Sequence, residues 1–172
     1  MYKQPLFVGS CLQNEPKVHC LKDRNKMFPG NGLYLTKIRF PENYTVTMNK
    51  KVLILDDDVD ILQICSIVLK KKGFDVSTLN SSSQIAEHVR RLQPDVILMD
   101  NWIPGPGGIE ATKELKNTPD LQSIPVIFFS ANSNVTQLAR EAQADYFLQK
   151  PFDITELEAI VQMALSQPVP EH

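Results

Sequence analysis

Five polar residues stand where runs of apolar residues end. Asp56 and Asp57 follow Val52-Leu53-Ile54-Leu55, Asp100 follows Val96-Ile97-Leu98-Met99, Ser130 follows Val126-Ile127-Phe128-Phe129, and Lys150 comes shortly after Tyr146-Phe147-Leu148. Three carboxylates brought together repel one another and tend to hold protons, and a divalent cation with one lysine relieves that cost. Hard oxygen ligands in small number select Mg²⁺ or Mn²⁺, which keep waters and accept further oxygens from a phosphate. A cation, a lysine, a hydroxyl and a nucleophilic carboxylate are together the parts of a phosphoryl-transfer site. A single Asp after a strand is more often a loop cap. It is the set that carries the chemistry.

The set converges only if every strand runs the same way. Four or five apolar residues in a row, bounded by turn signals and too short for a helix, read as strands buried on both faces. Such strands are expected at Lys51–Leu55, Pro94–Asp100 and Ile124–Ser130, with two less continuously apolar strands at Phe74–Leu79 and Asp145–Leu148. Between them, apolar residues recur at helical spacing. Ile61, Leu62, Cys65, Val68 and Leu69 mark a first helix from Asp58 to Lys72, closed by Gly73, with Asp58 and Asp60 as N-terminal acids. Ser81-Ser82-Ser83 is expected to cap a second helix through Leu92, and a third runs from about Gly108 to Lys116. Asn132 or Ser133 opens a short fourth helix, and Asp153 caps a fifth bearing Leu157, Ile160, Val161, Ala164 and Leu165. Strands that alternate with helices require right-handed crossovers, hence a doubly wound parallel sheet whose carboxyl edge forms a ligand crevice. The eight residues after Asp100 hold two Pro and three Gly, which keeps that loop tight and non-helical up to Gly108.

The chain has 172 residues, 42% of them hydrophobic, and a net charge of −2, so nothing global points to nucleic acid. No stretch approaches a membrane span or a signal peptide, and three cysteines at unpatterned spacing suit a reducing compartment, so a cytoplasmic protein is expected. Residues 1–47 carry seven Lys/Arg against three Asp/Glu, and residues 48–172 carry eleven against seventeen. That shift marks a boundary near Met48: an irregular, dispensable extension over 1–47 whose one plausible strand is Leu33–Phe40, a compact domain over 48–167, and a tail over 168–172. Cys11, His19 and Cys20 match no zinc spacing. His88 reads as a solvated helix residue, and Lys70-Lys71-Lys72 as a helix end favoured by the dipole.

Over residues 49–166 the chain resembles the receiver domain of two-component response regulators. The acidic pair after the first strand, Asp100 with Pro104 and Gly108, Ser130, and Lys150-Pro151-Phe152 carry the likeness in order and spacing. It implies a flavodoxin-like (βα)5 sheet of order 2-1-3-4-5. It further implies Asp100 as phosphoacceptor and Asp57 as direct Mg²⁺ ligand, with Asp56 binding through water and the backbone carbonyl of Trp102 adding a metal oxygen. Lys150 would pair with the phosphate across a cis bond to Pro151, Ser130 would hold a phosphate oxygen, and Phe147 would be the rotating aromatic, chosen over Tyr146 by register. Gly107 stands where the family often has Asp, and a short segment between Ser130 and Lys150 leaves the length of the fourth helix open.

The expectation is a phosphorylation-activated signalling domain rather than an enzyme. Its partners would be a sensor histidine kinase or phosphotransfer protein and an unidentified downstream protein, reached by contact or phosphorelay, with dimerisation on phosphorylation as a further outcome. No nucleic acid is expected, since only a short tail follows the last helix. The competing reading is an Mg²⁺-dependent phosphohydrolase of haloacid-dehalogenase type using Asp56, suggested by Asp56-Asp57-Asp58 but lacking the later acidic pair of those enzymes.

Overall fold

The computed structural model describes residues 50–166, together with the backbone pairing of His19 and Cys20. The plausible Leu33–Phe40 strand, Cys11, the rest of the 1–47 extension and the 168–172 tail lie outside the described residues. Five strands are parallel: β1 (Lys51–Leu55), β2 (Asp75–Leu79), β3 (Val96–Asp100), β4 (Val126–Ser130) and β5 (Tyr146–Gln149). They lie in the order β2-β1-β3-β4-β5, as expected. His19–Cys20 adds a two-residue antiparallel strand at the β5 edge, opposite Phe147 and Tyr146, which the irregular reading of residues 1–47 had not anticipated.

Five helices connect and close the strands: α1 (Val59–Lys71), α2 (Ile85–Leu92), α3 (Gly108–Asn117), α4 (Val135–Glu141) and α5 (Ile154–Ser166). Every residue of β3 and β4 is buried, because helices cover both faces of a central parallel strand. On one face Val52, Ile54, Leu98 and Phe129 pack with Leu62, Leu69, Leu157 and Ile160 of α1 and α5. On the other, Leu53, Leu55, Ile97 and Phe128 pack with Ile85, Val89, Leu115 and Ala139 of α2, α3 and α4.

Side-chain caps start α1 and α5, whereas α2, α3 and α4 begin without one, α4 after Asn134 rather than at the expected Asn132 or Ser133. Asp58 caps α1, its carboxylate accepting from the amides of Asp60 and Ile61. Asp153 and Glu156 form a reciprocal capping box at α5, 2.8 and 3.0 Å. The serine run does not cap α2. The residue before that helix is Gln84 at φ 54°, with no side-chain cap, and the serines hold another loop instead. Ser82 N–H donates to the Pro104 carbonyl at 2.9 Å, and the Ser81 and Ser82 hydroxyls donate to the same oxygen at 3.1 and 3.2 Å. The segment between β2 and α2 therefore pins the loop that leaves Asp100.

Gly108 completes that loop. Its N–H donates to the Asn101 carbonyl at 3.2 Å, and any Cβ there would overlap the backbone carbonyl of Asp100. A clash with backbone is not relieved by a rotamer change. Gly108→Ala is expected to cost about 3 kcal/mol, at the upper end of overpacking penalties, read as a fall in Tm. An unchanged Tm would mean that the loop is held more loosely than its bonds indicate.

Candidate functional site

β1, β3, β4 and β5 deliver their polar ends to one edge of the sheet. Asp56 lies just past β1, fully buried, its N–H donating to the Leu79 carbonyl at 3.2 Å. One carboxylate oxygen accepts from the Asp58 amide at 3.0 Å, the other from Lys150 Nζ at 2.6 Å. Asp100 ends β3 with only 4% of its surface exposed. Its Oδ1 accepts from the same Lys150 Nζ at 2.7 Å, and its Oδ2 from the Trp102 amide at 2.5 Å. Lys150 thus bridges two buried carboxylates, its Nζ 4.4 Å from the centre of the Phe129 ring. The Lys150–Pro151 peptide bond is cis.

Burial pushes the Asp56 carboxyl above its ordinary range, the bond to Lys150 pulls it back, and the neighbouring Asp100 adds to the upward push. Burial works against the Lys150 ammonium, but its bonds to Asp100 and Asp56 outweigh that and hold its pKa above the usual lysine value. Asp57 is exposed beside them, and one oxygen from each of Asp56, Asp57 and Asp100 falls within 4.8 Å of the others. Three hard oxygens, one open to solvent, are the donor set that Mg²⁺ or Mn²⁺ takes, so the residues present fit such an ion.

The remaining predicted residues are placed as follows. Ser130 is buried at the end of β4; its hydroxyl accepts from the Asn132 amide at 3.2 Å and its carbonyl from the Lys150 amide at 2.8 Å. Trp102 stands 75% exposed at the mouth of the site. Tyr146 and Phe147 are both buried, on opposite faces of the sheet, because alternation along β5 sends one to each covered side. Phe147 lies on the α4 side, with Val135 and Ala139. The serines that fix the Asp100 loop were missed, because a Ser run before a helix carries the same local signal as a cap.

Such a site can hold a cation against buried carboxylates and offer a lysine to an incoming anion. Asp56 and Asp100 are both buried with both oxygens engaged, so accessibility alone does not choose between them as nucleophile.

The sequence pattern of the response regulator receiver domain matches residues 52–162. The DNA-binding response regulator MtrA of Mycolicibacterium smegmatis is 33% identical over 121 residues, 69% of this chain and 52% of MtrA. The chain spans about half the length of the curated relatives it matches. Among solved structures, a putative response regulator from Chloroflexus aurantiacus superposes with a TM-score of 0.66 at 25% identity, over 69% of this chain and 99% of that one. The chemotaxis response regulator CheY4 of Vibrio cholerae superposes at 0.63 with 26% identity, over 69% and 100%. The chain belongs to the response regulator receiver domain family.

Proposed function

We propose that this receiver domain accepts a phosphoryl group on Asp100 from a phosphohistidine of a sensor kinase or phosphotransfer protein, and that the new charge switches a protein-binding surface. The observation that carries the reading is Lys150 Nζ held between Asp56 and Asp100, with Asp57 open beside them. A carboxylate oxygen of Asp100 attacks phosphorus, the P–N bond to the donor imidazole breaks, and the electron pair leaves with the imidazole. Lys150, already at Asp100, passes to a phosphoryl oxygen and offsets the charge gathering there. Asp57 would bind Mg²⁺ directly, Asp56 through water, with Asp100 and the Trp102 carbonyl completing the set. The ion would neutralise charge on the phosphoryl oxygens.

Ser130 would then leave the Asn132 amide for a phosphoryl oxygen, and Phe147, already packed with Val135 and Ala139, would rearrange among them, biasing a two-state surface over residues 133–166. The domain acts as a signalling element, not as a turnover catalyst. Among the described residues no helix is long and apolar enough to cross a membrane. A cytoplasmic location and dimerisation on phosphorylation belong to this proposal. DNA binding is named for the MtrA relatives, whereas here the described helices all close the one sheet, and the domain itself would signal by protein contact. The test is incubation with a small acyl phosphate and Mg²⁺, followed by intact-mass measurement. The mass should rise by one phosphoryl group; no gain would refute the acceptor role.

Trp102 supplies an independent readout of the metal. Its amide is bonded to Asp100 and its ring is exposed, so a cation drawn to the carboxylates should alter its emission. Mg²⁺ titration is expected to give a saturable change that Asp57→Asn largely removes. A flat titration in the unmodified protein would count against the metal site.

A further inference from the structure

α1 turns Leu62, Cys65 and Leu69 into the core, yet Ile64 and Ile67 on its other side each stay 55% exposed. Single exposed apolar residues are ordinary. These two are not scattered. At a spacing of three they lie on one stripe of the helix, continued by exposed Asp60 toward the N-terminus and exposed Lys71 toward the C-terminus. Lys72, next to Lys71, is tied to Glu158 of α5 at 2.9 Å, which leaves Lys71 as the basic end of the stripe.

The stripe is its own complement. Ile64 and Ile67 lie equally far on either side of the Cys65–Ser66 peptide, and so do Asp60 and Lys71. If a second α1 is laid antiparallel across the first about a twofold axis at that peptide, each Ile64 meets the other copy's Ile67. Each Asp60 then meets the other copy's Lys71. That is an isologous contact, the same patch on both partners. We propose that α1 is a homodimer face and that its occupant is a second copy of this chain, seated by the isoleucine pair and oriented by the two Asp60–Lys71 contacts. One helix pair buries less than the ~1,200 Å² of a stable complex, so the dimer is weak and concentration-dependent. The inference stands on the helix surface and does not depend on the phosphoryl chemistry.

The test is sedimentation equilibrium of the full chain from micromolar to millimolar concentration. Self-association is expected in the unmodified protein and should weaken at least ~10-fold in Ile64→Glu, an apolar contact exchanged for a desolvated charge. Asp60→Lys alone and Lys71→Glu alone should each lose association, because each sets like charges against one another twice. An equimolar mixture of those two variants should recover it, since every contact in the mixed dimer is then of opposite sign. Thermal melts of each variant separate loss of pairing from loss of fold. A monomer at every concentration, association untouched by Ile64→Glu, or a mixture no better than its components would each overturn the proposal. So would an Ile64→Glu chain that sediments like the unmodified protein but accepts phosphate poorly from a protein donor, because the face would then serve the donor.

Discussion

Asp100→Asn is expected to show no mass gain with a small acyl phosphate and Mg²⁺, while its fold and its Tm stay close to those of the unmodified protein. An amide offers no carboxylate oxygen to phosphorus, so the loss should be complete rather than graded. The replacement keeps the shape and an acceptor for Lys150, although its amide nitrogen cannot accept from Trp102 N–H as Oδ2 does. The charged bond from Lys150 to Asp100 at 2.7 Å weakens, but the same ammonium keeps Asp56 at 2.6 Å. Asp56, moreover, loses the neighbouring charge that helps hold its carboxyl above the ordinary range. These changes oppose each other, and the net shift in stability should stay within about 1 kcal/mol, the scale of one ordinary hydrogen bond. Asp56→Asn is the matched control. If it alone abolished uptake and Asp100→Asn retained it, the acceptor would be the wrong aspartate; if both retained it, the site itself would be misplaced.

The site was legible in the sequence because its chemistry sits on the strand ends, and strands buried on both faces announce themselves as unbroken apolar runs. Asp56, Asp100 and Lys150 are far apart in sequence, yet parallel topology alone sends them to one edge, where the structure joins them through a single ammonium. What stayed hidden are contacts between loops. Ser81 and Ser82 sit before a helix and read as caps, but the carbonyl they bind belongs to Pro104, and no periodicity reports that pairing. The two rings of β5 are hard to tell apart for another reason. Alternation decides which face a side chain takes, but on a strand covered on both sides either face is inside. Lys116 shows the same limit most strongly, since a lysine near the end of an amphipathic helix reads as solvated.

Lys116→Ala is expected to be the most destabilising substitution in the domain that touches no chemistry. The Lys116 and Asp145 side chains are 2% and 5% exposed and paired at 2.5 Å. The lysine also donates to the carbonyls of Gln122 at 3.1 Å and Ile124 at 2.7 Å, while Asp145 accepts from the Val126 amide at 2.8 Å. Together they fasten the end of α3, the segment leading to β4 and the entry to β5. Removing the lysine takes the 2.5 Å charge partner from a buried carboxylate and the donor from two carbonyls. Breaking such a pair from one side costs about 3–5 kcal/mol, equivalent to a fall in Tm on the order of 10–20 °C for a domain of this size. Replacing both partners with apolar residues of similar volume, Lys116→Met with Asp145→Leu, should recover part of that loss, because the buried carboxylate then goes together with its ammonium. Part would still be missing, since the Val126 amide loses its acceptor. Calorimetry of the single and double variants decides the matter: a single variant within about 1 kcal/mol of the unmodified protein would show that water reaches the pair and that its burial does not govern its energetics.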